Sequence, residues 1–267
     1  MHNPELQTRT AVLIDVDGTT SNTAEHMAGL NERLINAFPL IAEALPAIRE
    51  KRRAFRKELG HLSFSGQDKA WQQRYPGTTS HSQLDIYRTF APDVFDDQLT
   101  NNVYEWLQDT RNFGHAEYDD TAPMLAGLQQ LGALPVIFTL GQKHVDRAGR
   151  PGWQRLKIDS APNLRSLHTR IEETLPEGGK GAIIAQSYDE TLGTFLFPLD
   201  DTDGVVSSEH LVMVDDSIDN LDLPPQALGV LVDRTGKYSE QELVTNIEVV
   251  TSLREVPAIV ARYQQST

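Results

Sequence analysis

The chain has 267 residues, 39% of them hydrophobic and 23% charged, so at roughly 150 residues per domain we expect one folded main domain with an insertion, and disorder or a fibrous repeat is excluded. It contains no cysteine, which excludes disulfides, thiolate nucleophiles and Cys-ligated zinc or iron–sulfur centres, so any metal must bind oxygen or imidazole. The 38 acidic against 24 basic side chains give a net charge of −14, which disfavours nucleic acid and anionic membranes as partners.

In chain order, Ala11-Val12-Leu13-Ile14 is a short apolar run closed by Asp15-Val16-Asp17-Gly18-Thr19-Thr20, the pattern of a buried parallel strand ending in a turn. From Ala24 to Leu107 the period becomes helical: Met27, Leu30, Leu34, Ile35 and Phe38, then Leu99, Val103, Trp106 and Leu107. Ser63 to Ser82 between them reads as loop-rich. Within the insertion Arg49, Arg52, Arg53 and Arg56, flanked by Lys51 and Lys57, form a basic helix face, which is either a solvated face or an attraction for anions. Residues 21–118 carry a net charge of −2 against −12 for the rest.

Strand and helix then alternate. Met124, Leu125, Leu128 and Leu131 mark a helix closed by Gly132, and Val136-Ile137-Phe138-Thr139-Leu140 is the next strand. Leu211-Val212-Met213-Val214-Asp215-Asp216 is another; Val230 to Asp233 and Ile247 to Val250 are two more, and Val256 to Tyr263 is a closing helix. This alternation predicts an α/β protein with a Rossmann-like parallel sheet. No apolar run reaches the roughly 20 residues of a bilayer span, and Met1 to Glu5 lacks a basic-then-apolar leader, so we expect a cytoplasmic protein.

Two predicted strands end in carboxylates and a third in a hydroxyl, and the carboxyl ends of parallel strands form the ligand crevice. Asp15, Asp17, Asp215 and Asp216 would repel one another unless held by a cation, and an oxygen-only cluster on short loops suits Mg²⁺. Taken singly, the residues have plainer readings. Thr139 could cap a helix starting near Gln142, Lys180 could be a solvated lysine whose place Lys143 or Lys157 would fill, and Asp219 with Asn220 could be turn residues. Gly179-Lys180 lacks the spacing of a phosphate-binding P-loop, and Asp200 to Gly204 lacks the first and last ligands of a calcium loop.

Together, Asp15-Val16-Asp17-Gly18-Thr19-Thr20, Thr139, Lys180 within Glu177-Gly178-Gly179-Lys180-Gly181, and Val214-Asp215-Asp216-Ser217-Ile218-Asp219-Asn220 resemble, in order, the four motifs of the haloacid dehalogenase-like superfamily. The resemblance covers the chain outside the insertion. It departs at Leu140, where an Asn is frequent, and in the long acidic stretch Ser187 to His210. It implies a catalytic core of residues 1–20 and 119–267 carrying an inserted helical cap, residues 21–118, that excludes water and sets specificity.

By the same resemblance Asp15 is the nucleophile and Asp17 the acid and base. Thr139, the Leu140 amide and Lys180 bind phosphate. Mg²⁺ sits on Asp15, the Asp17 carbonyl and Asp216, with Asp215 or Asp219 holding metal-bound water. The implied activity is hydrolysis of a small phosphorylated metabolite; a phosphosugar mutase and a non-catalytic binding scaffold are the alternatives. A dehalogenase would not need an acid at Asp17, and a response-regulator receiver is roughly half this length. The oligomeric state is left open.

Overall fold

A computed structural model describes residues 5–62, 64–78, 80, 83–143, 151–202, 204–238 and 246–266. They divide into two compact units: unit 1 is Met1–Thr23, Ala116–Leu140 and Pro162–Thr267, and unit 2 is Ala24–His115 and Gly141–Ala161.

Unit 1 is built on a sheet whose centre is a pair of long parallel strands, β1 (Glu5–Ile14) and β6 (Val205–Asp215). Outward from β1 run β2 (Leu134–Leu140) and β3 (His168–Glu172), both parallel. The other edge of β6 is shared. Its end Leu211 to Asp215 pairs in parallel with β7 (Ala227–Val232), which pairs with β8 (Ile247–Val250). Its start, Val205 to Ser208, pairs antiparallel with β5 (Thr194–Pro198), and β5 with the two-residue β4 (Tyr188–Asp189).

The acidic stretch before Leu211 is therefore a hairpin extension of the sheet. The apolar run alone marks only the last four residues of β1. Its first half, Glu-Leu-Gln-Thr-Arg, alternates between exposed and half-buried positions, and it becomes a strand because Val205 to Ser208 lie beside it. Ala11 to Ile14 and Leu211 to Val214 are fully buried, as expected for strands covered on both faces. Helices α7 (Thr121–Gln130), α9 (Gly179–Gln186) and α10 (Val256–Ser266) complete the unit.

Unit 2 is helical: α1 (Thr23–Ala37), α2 (Pro39–Leu59), α3 (Phe64–Arg74), α4 (Gln83–Phe90), α5 (Asp97–Leu107), α6 (Thr110–Phe113) and α8 (Trp153–Ser160). Pro39 opens α2, where its missing N–H costs nothing. Asp96 caps α5 by accepting from the Leu99 amide at 2.7 Å. The stretch expected as loop from Ser63 onward holds α3 instead. Its polar sequence has almost no helical period, and what orders it is Trp71, 1% exposed. The Trp71 ring meets Phe55 and Phe90 edge-on at 5.1 and 5.4 Å, and its Nε1 donates to Thr78 Oγ1 at 2.9 Å. Ser63, Thr79, His81 and Ser82 lie outside the described residues.

The basic face of α2 is largely solvated. Arg49, Arg53 and Arg56 are exposed, Arg52 is half-buried, and Lys51 donates to the Phe90 carbonyl at 2.6 Å. Gly141–Ala161, expected with the core, belongs to unit 2. Tyr104 Oη donates to the Pro151 carbonyl and Ser160 Oγ to the Gly114 carbonyl, both at 2.7 Å, and Trp153 packs on Phe113 with ring centres 5.0 Å apart.

Emptying the aromatic cluster tests its weight in unit 2. Trp71→Ala should cost about 3–5 kcal/mol and Trp71→Phe clearly less, read from urea denaturation followed by circular dichroism. An unchanged midpoint for Trp71→Ala would show that the ring does not hold α3 in place.

Candidate active site

Sheet register brings the two carboxylate-ended strands side by side. Ile14 pairs with Ile137 on one edge and Val214 on the other, and the Asp15 amide donates to the Val214 carbonyl at 3.0 Å. Asp15 and Asp215 thus leave adjacent strands at one level, at the carboxyl edge where ligands collect in such sheets. Thr139, 1% exposed, lies two residues past the Ile14–Ile137 pair, opposite Ile171, and Leu140 ends the strand. The helix start considered near Gln142 is not found at Gln142 or Lys143; residues 144–150 lie outside the described set, and the next described helix begins at Trp153.

After Asp15 the chain turns tightly. The Thr20 and Ser21 amides donate to the Val16 carbonyl at 3.1 and 2.9 Å, and the Gly18 amide to the Ser21 carbonyl at 2.9 Å. Gly18 has φ of 81°, and a Cβ there would sit 2.1 Å from Asp216 Oδ2. Backbone conformation and the neighbouring carboxylate therefore both demand glycine. The turn delivers Asp17, whose Oδ1 accepts from Thr23 Oγ1 at 2.6 Å.

Lys180 enters from α9. Its Nζ lies 2.5 Å from Asp15 Oδ1 and 2.8 Å from Asp215 Oδ2, and Lys180 is 2% exposed. The glycines around it have a packing reason. Gly178 and Gly179 turn the chain with φ of 88° and 64°, and a Cβ on Gly181 would fall 2.0 Å from the Asp222 carbonyl oxygen. The helix start thus lies directly on the segment that follows Asp216. Asp215 accepts three further hydrogen bonds from that segment: Ser217 N donates to Oδ1 at 2.9 Å, and Asn220 Nδ2 to both oxygens at 3.1 Å. Asp219 is exposed in the short 3₁₀ turn Ile218–Asn220. Lys143 and Lys157, the other candidates for the lysine, fall in unit 2.

One lysine serves several carboxylates, and the electrostatics follow. Burial pushes the Asp15 carboxyl up to about 7; Asp215 and Asp17 add to the rise and Lys180 opposes it. Burial, then Asp215, raises Asp216 to about 6. For Lys180, burial favours the neutral amine, but attraction to Asp15 and Asp215 outweighs it and holds the ammonium above the ordinary lysine range. Among the described residues, Asp15, Asp215 and Asp216 each offer an oxygen within 4.8 Å of the others. This all-oxygen donor set suits a hard divalent cation.

Sequence reasoning missed the supports. Thr23 lies outside the motif segments, and Gly181 and Asn220 fall inside them without a role of their own. A further clamp joins residues over a hundred positions apart. Arg234 makes a two-pronged ion pair with Asp120 at 2.7 and 2.8 Å, donates to the Thr19 carbonyl at 3.0 Å, and stacks 3.8 Å above the Tyr118 ring. Asp120 also accepts from Ser252 Oγ and the Leu253 amide, each at 2.9 Å. Burial would raise the Asp120 carboxyl, but these donors outweigh it and hold it below the usual range.

The raised carboxyls set a pH dependence. A folded pKa above the unfolded value means extra protons bound by the folded state, so the destabilising contribution is absent below about pH 4 and grows as pH rises toward 6 and 7. In chelator, Asp216→Asn should therefore be more stable than wild type by on the order of 1–2 kcal/mol at about pH 8, allowing for partial exposure. The gain should vanish near pH 4. Thermal melts showing the same difference at both pH values would reject burial as its cause.

No family model and no curated protein matches the chain. Among solved structures it is similar to a haloacid dehalogenase-like hydrolase from Burkholderia xenovorans, at 18% identity and a TM-score of 0.50, covering 96% of this chain and 98% of that one. The HAD-hydrolase YfnB from Bacillus subtilis, bound to magnesium, aligns at 14% identity over 95% and 99% of the two chains with a TM-score of 0.49. A HAD phosphatase from Thermococcus onnurineus aligns at 18% identity over 94% and 97% with a TM-score of 0.46. With its parallel sheet, strand-end carboxylates and the match along nearly its whole length to the Burkholderia structure, the chain has the haloacid dehalogenase-like fold.

Proposed function

We propose that the protein is a Mg²⁺-dependent phosphatase that hydrolyses a small phosphorylated metabolite through an aspartyl-phosphate. The observation that carries this reading is the buried Lys180 shared by Asp15 and Asp215, beside a second acid, Asp17, held separately by Thr23. Mg²⁺, held by the Asp15 and Asp216 carboxylates and the Asp17 main-chain carbonyl, would supply the positive charge that lets a carboxylate approach a phosphate.

The chain's own groups do the rest. An Asp15 carboxylate oxygen attacks phosphorus as the bond to the leaving oxygen breaks, and the protonated Asp17 carboxyl gives its proton to that oxygen. Asp17, now a carboxylate, takes a proton from water as the water attacks the phosphorus of the aspartyl-phosphate, releasing inorganic phosphate and restoring Asp15. Lys180, kept charged by Asp15 and Asp215, faces the negative charge that grows on the phosphoryl oxygens. The Thr139 hydroxyl and the Leu140 amide orient those oxygens.

The bonds that Asp215 receives from Lys180, Ser217 and Asn220 favour a positioning role for it, and leave the exposed Asp219 as the better outer support for the metal. A halide leaves without a proton, so the Thr23-held Asp17 favours phosphate over a haloacid substrate. The net charge of −14 favours a small substrate over nucleic acid or a membrane surface.

Assays of phosphorylated metabolites should show phosphate release that chelation abolishes and Mg²⁺ restores. Asp15→Asn should abolish both turnover and acid-stable labelling from ³²P-substrate, while Asp17→Asn should slow turnover about 10²- to 10⁴-fold. Isomerised product instead of phosphate would identify a mutase. Halide release from 2-haloacids that survives chelation and Asp17→Asn would identify a dehalogenase, and no turnover of any compound would leave a binding scaffold.

A further inference from the structure

Unit 1 has a concavity whose lining does not include the Asp15 cluster. A pocket of about 410 Å³ is lined by Arg170 and Glu172 of β3, Ile183 and Gln186 of α9, Ser187 and Leu196 among others, a volume within the usual range for small-molecule sites. The Arg170 guanidinium lies against the Phe197 ring, 4.7 Å from its centre, and 5.8 Å from that of Phe138. Its Nε and Nη2 both bond the same oxygen, Oε1 of Glu172, at 2.6 and 2.5 Å. Among the described residues no hydrogen bond engages Arg170 Nη1 or Glu172 Oε2.

The lining therefore holds a cationic and an anionic side chain bonded to each other, each with one atom that no described residue bonds, together with the apolar side chains of Ile183 and Leu196. A phosphate or a dicarboxylate drawn to Arg170 would meet Glu172 at close range, and a simple cation drawn to Glu172 would meet Arg170. The arrangement suits a molecule that carries both charges on neighbouring atoms and an apolar tail.

We propose that this pocket binds a free α-amino acid with an apolar side chain, its carboxylate on Arg170 and its ammonium on Glu172. The site is independent of the phosphatase reading, and its test measures binding rather than turnover. Because Ile183 and Gln186 lie on the helix whose second residue is Lys180, the occupant also braces that helix.

Isothermal titration calorimetry with L-leucine should show saturable binding in the micromolar-to-millimolar range. Isoamylamine, which lacks the carboxylate, and 4-methylpentanoate, which lacks the ammonium, should each bind at least about tenfold more weakly, as should L-leucine to Arg170→Gln and Glu172→Gln. Circular dichroism and melting curves establish that each variant is folded. Hydrogen exchange across residues 179–186 should slow on adding leucine. The proposal is overturned if no apolar amino acid in a full panel binds, if the amine or the acid binds as well as leucine, or if leucine still binds a folded Arg170→Gln and a folded Glu172→Gln unchanged.

Discussion

The arrangement around the site depends on a single buried ammonium. Lys180 sits between Asp15 and Asp215 with almost no exposure to solvent, and burying such groups costs several kcal/mol each unless the charges meet with good geometry. That requirement explains much of the local sequence. Gly178 and Gly179 turn the chain into α9, and Gly181 lets the helix reach the Asp222 carbonyl; together they bring the lysine to two carboxylates at once. Ser217 and Asn220 then complete the bonding of Asp215. The excess of acid left over is expressed in Asp15 and Asp216, whose carboxyls resist ionisation. A cluster in that condition is ready for a cation.

The sheet supplies the rigidity this needs. β1 pairs along nearly its full length with β6, and β6 divides its other edge between a parallel partner near the site and an antiparallel hairpin away from it. The arrangement holds Asp15 and Asp215 in register. The loop after Asp15 has its own anchor: Arg234 ties the Thr19 carbonyl to Asp120, and Asp120 is tied in turn to Ser252 and Leu253. Two-pronged, partly buried charged contacts of this kind are stronger than surface ion pairs, so they fix the short turn that follows Asp15.

The helical unit follows different physics. Its order comes from aromatic packing, with Trp71 at the meeting point of Phe55, Tyr75 and Phe90. The basic run on α2, prominent as a sequence pattern, is divided by its surroundings between exposed arginines, a half-buried Arg52 and a Lys51 bonded to backbone. Side chains four residues apart share a face of a helix, but neighbouring helices determine which of them remain in solvent.

Legible in the amino-acid sequence alone were the α/β class, the strands that are buried on both faces, and the strand-end positions of Asp15, Thr139 and Asp215. The reason is local: a short apolar run closed by polar turn residues encodes a buried strand and its exit without help from distant residues. Lys180 was legible only through its place in a set of motifs, because a lysine beside glycines has no intrinsic signal. The first half of β1, the β4–β5 hairpin, helix α3 and the assignment of Gly141–Ala161 to the helical unit were decided by tertiary structure. Their sequences are too polar or too weakly periodic to specify a partner, and each acquires its conformation from residues far along the chain. The same holds for Thr23 on Asp17, Asn220 on Asp215, and Arg234 on Asp120 and Thr19: hydrogen bonds to a side chain depend on positions within a few tenths of an ångström, and only the folded chain sets those.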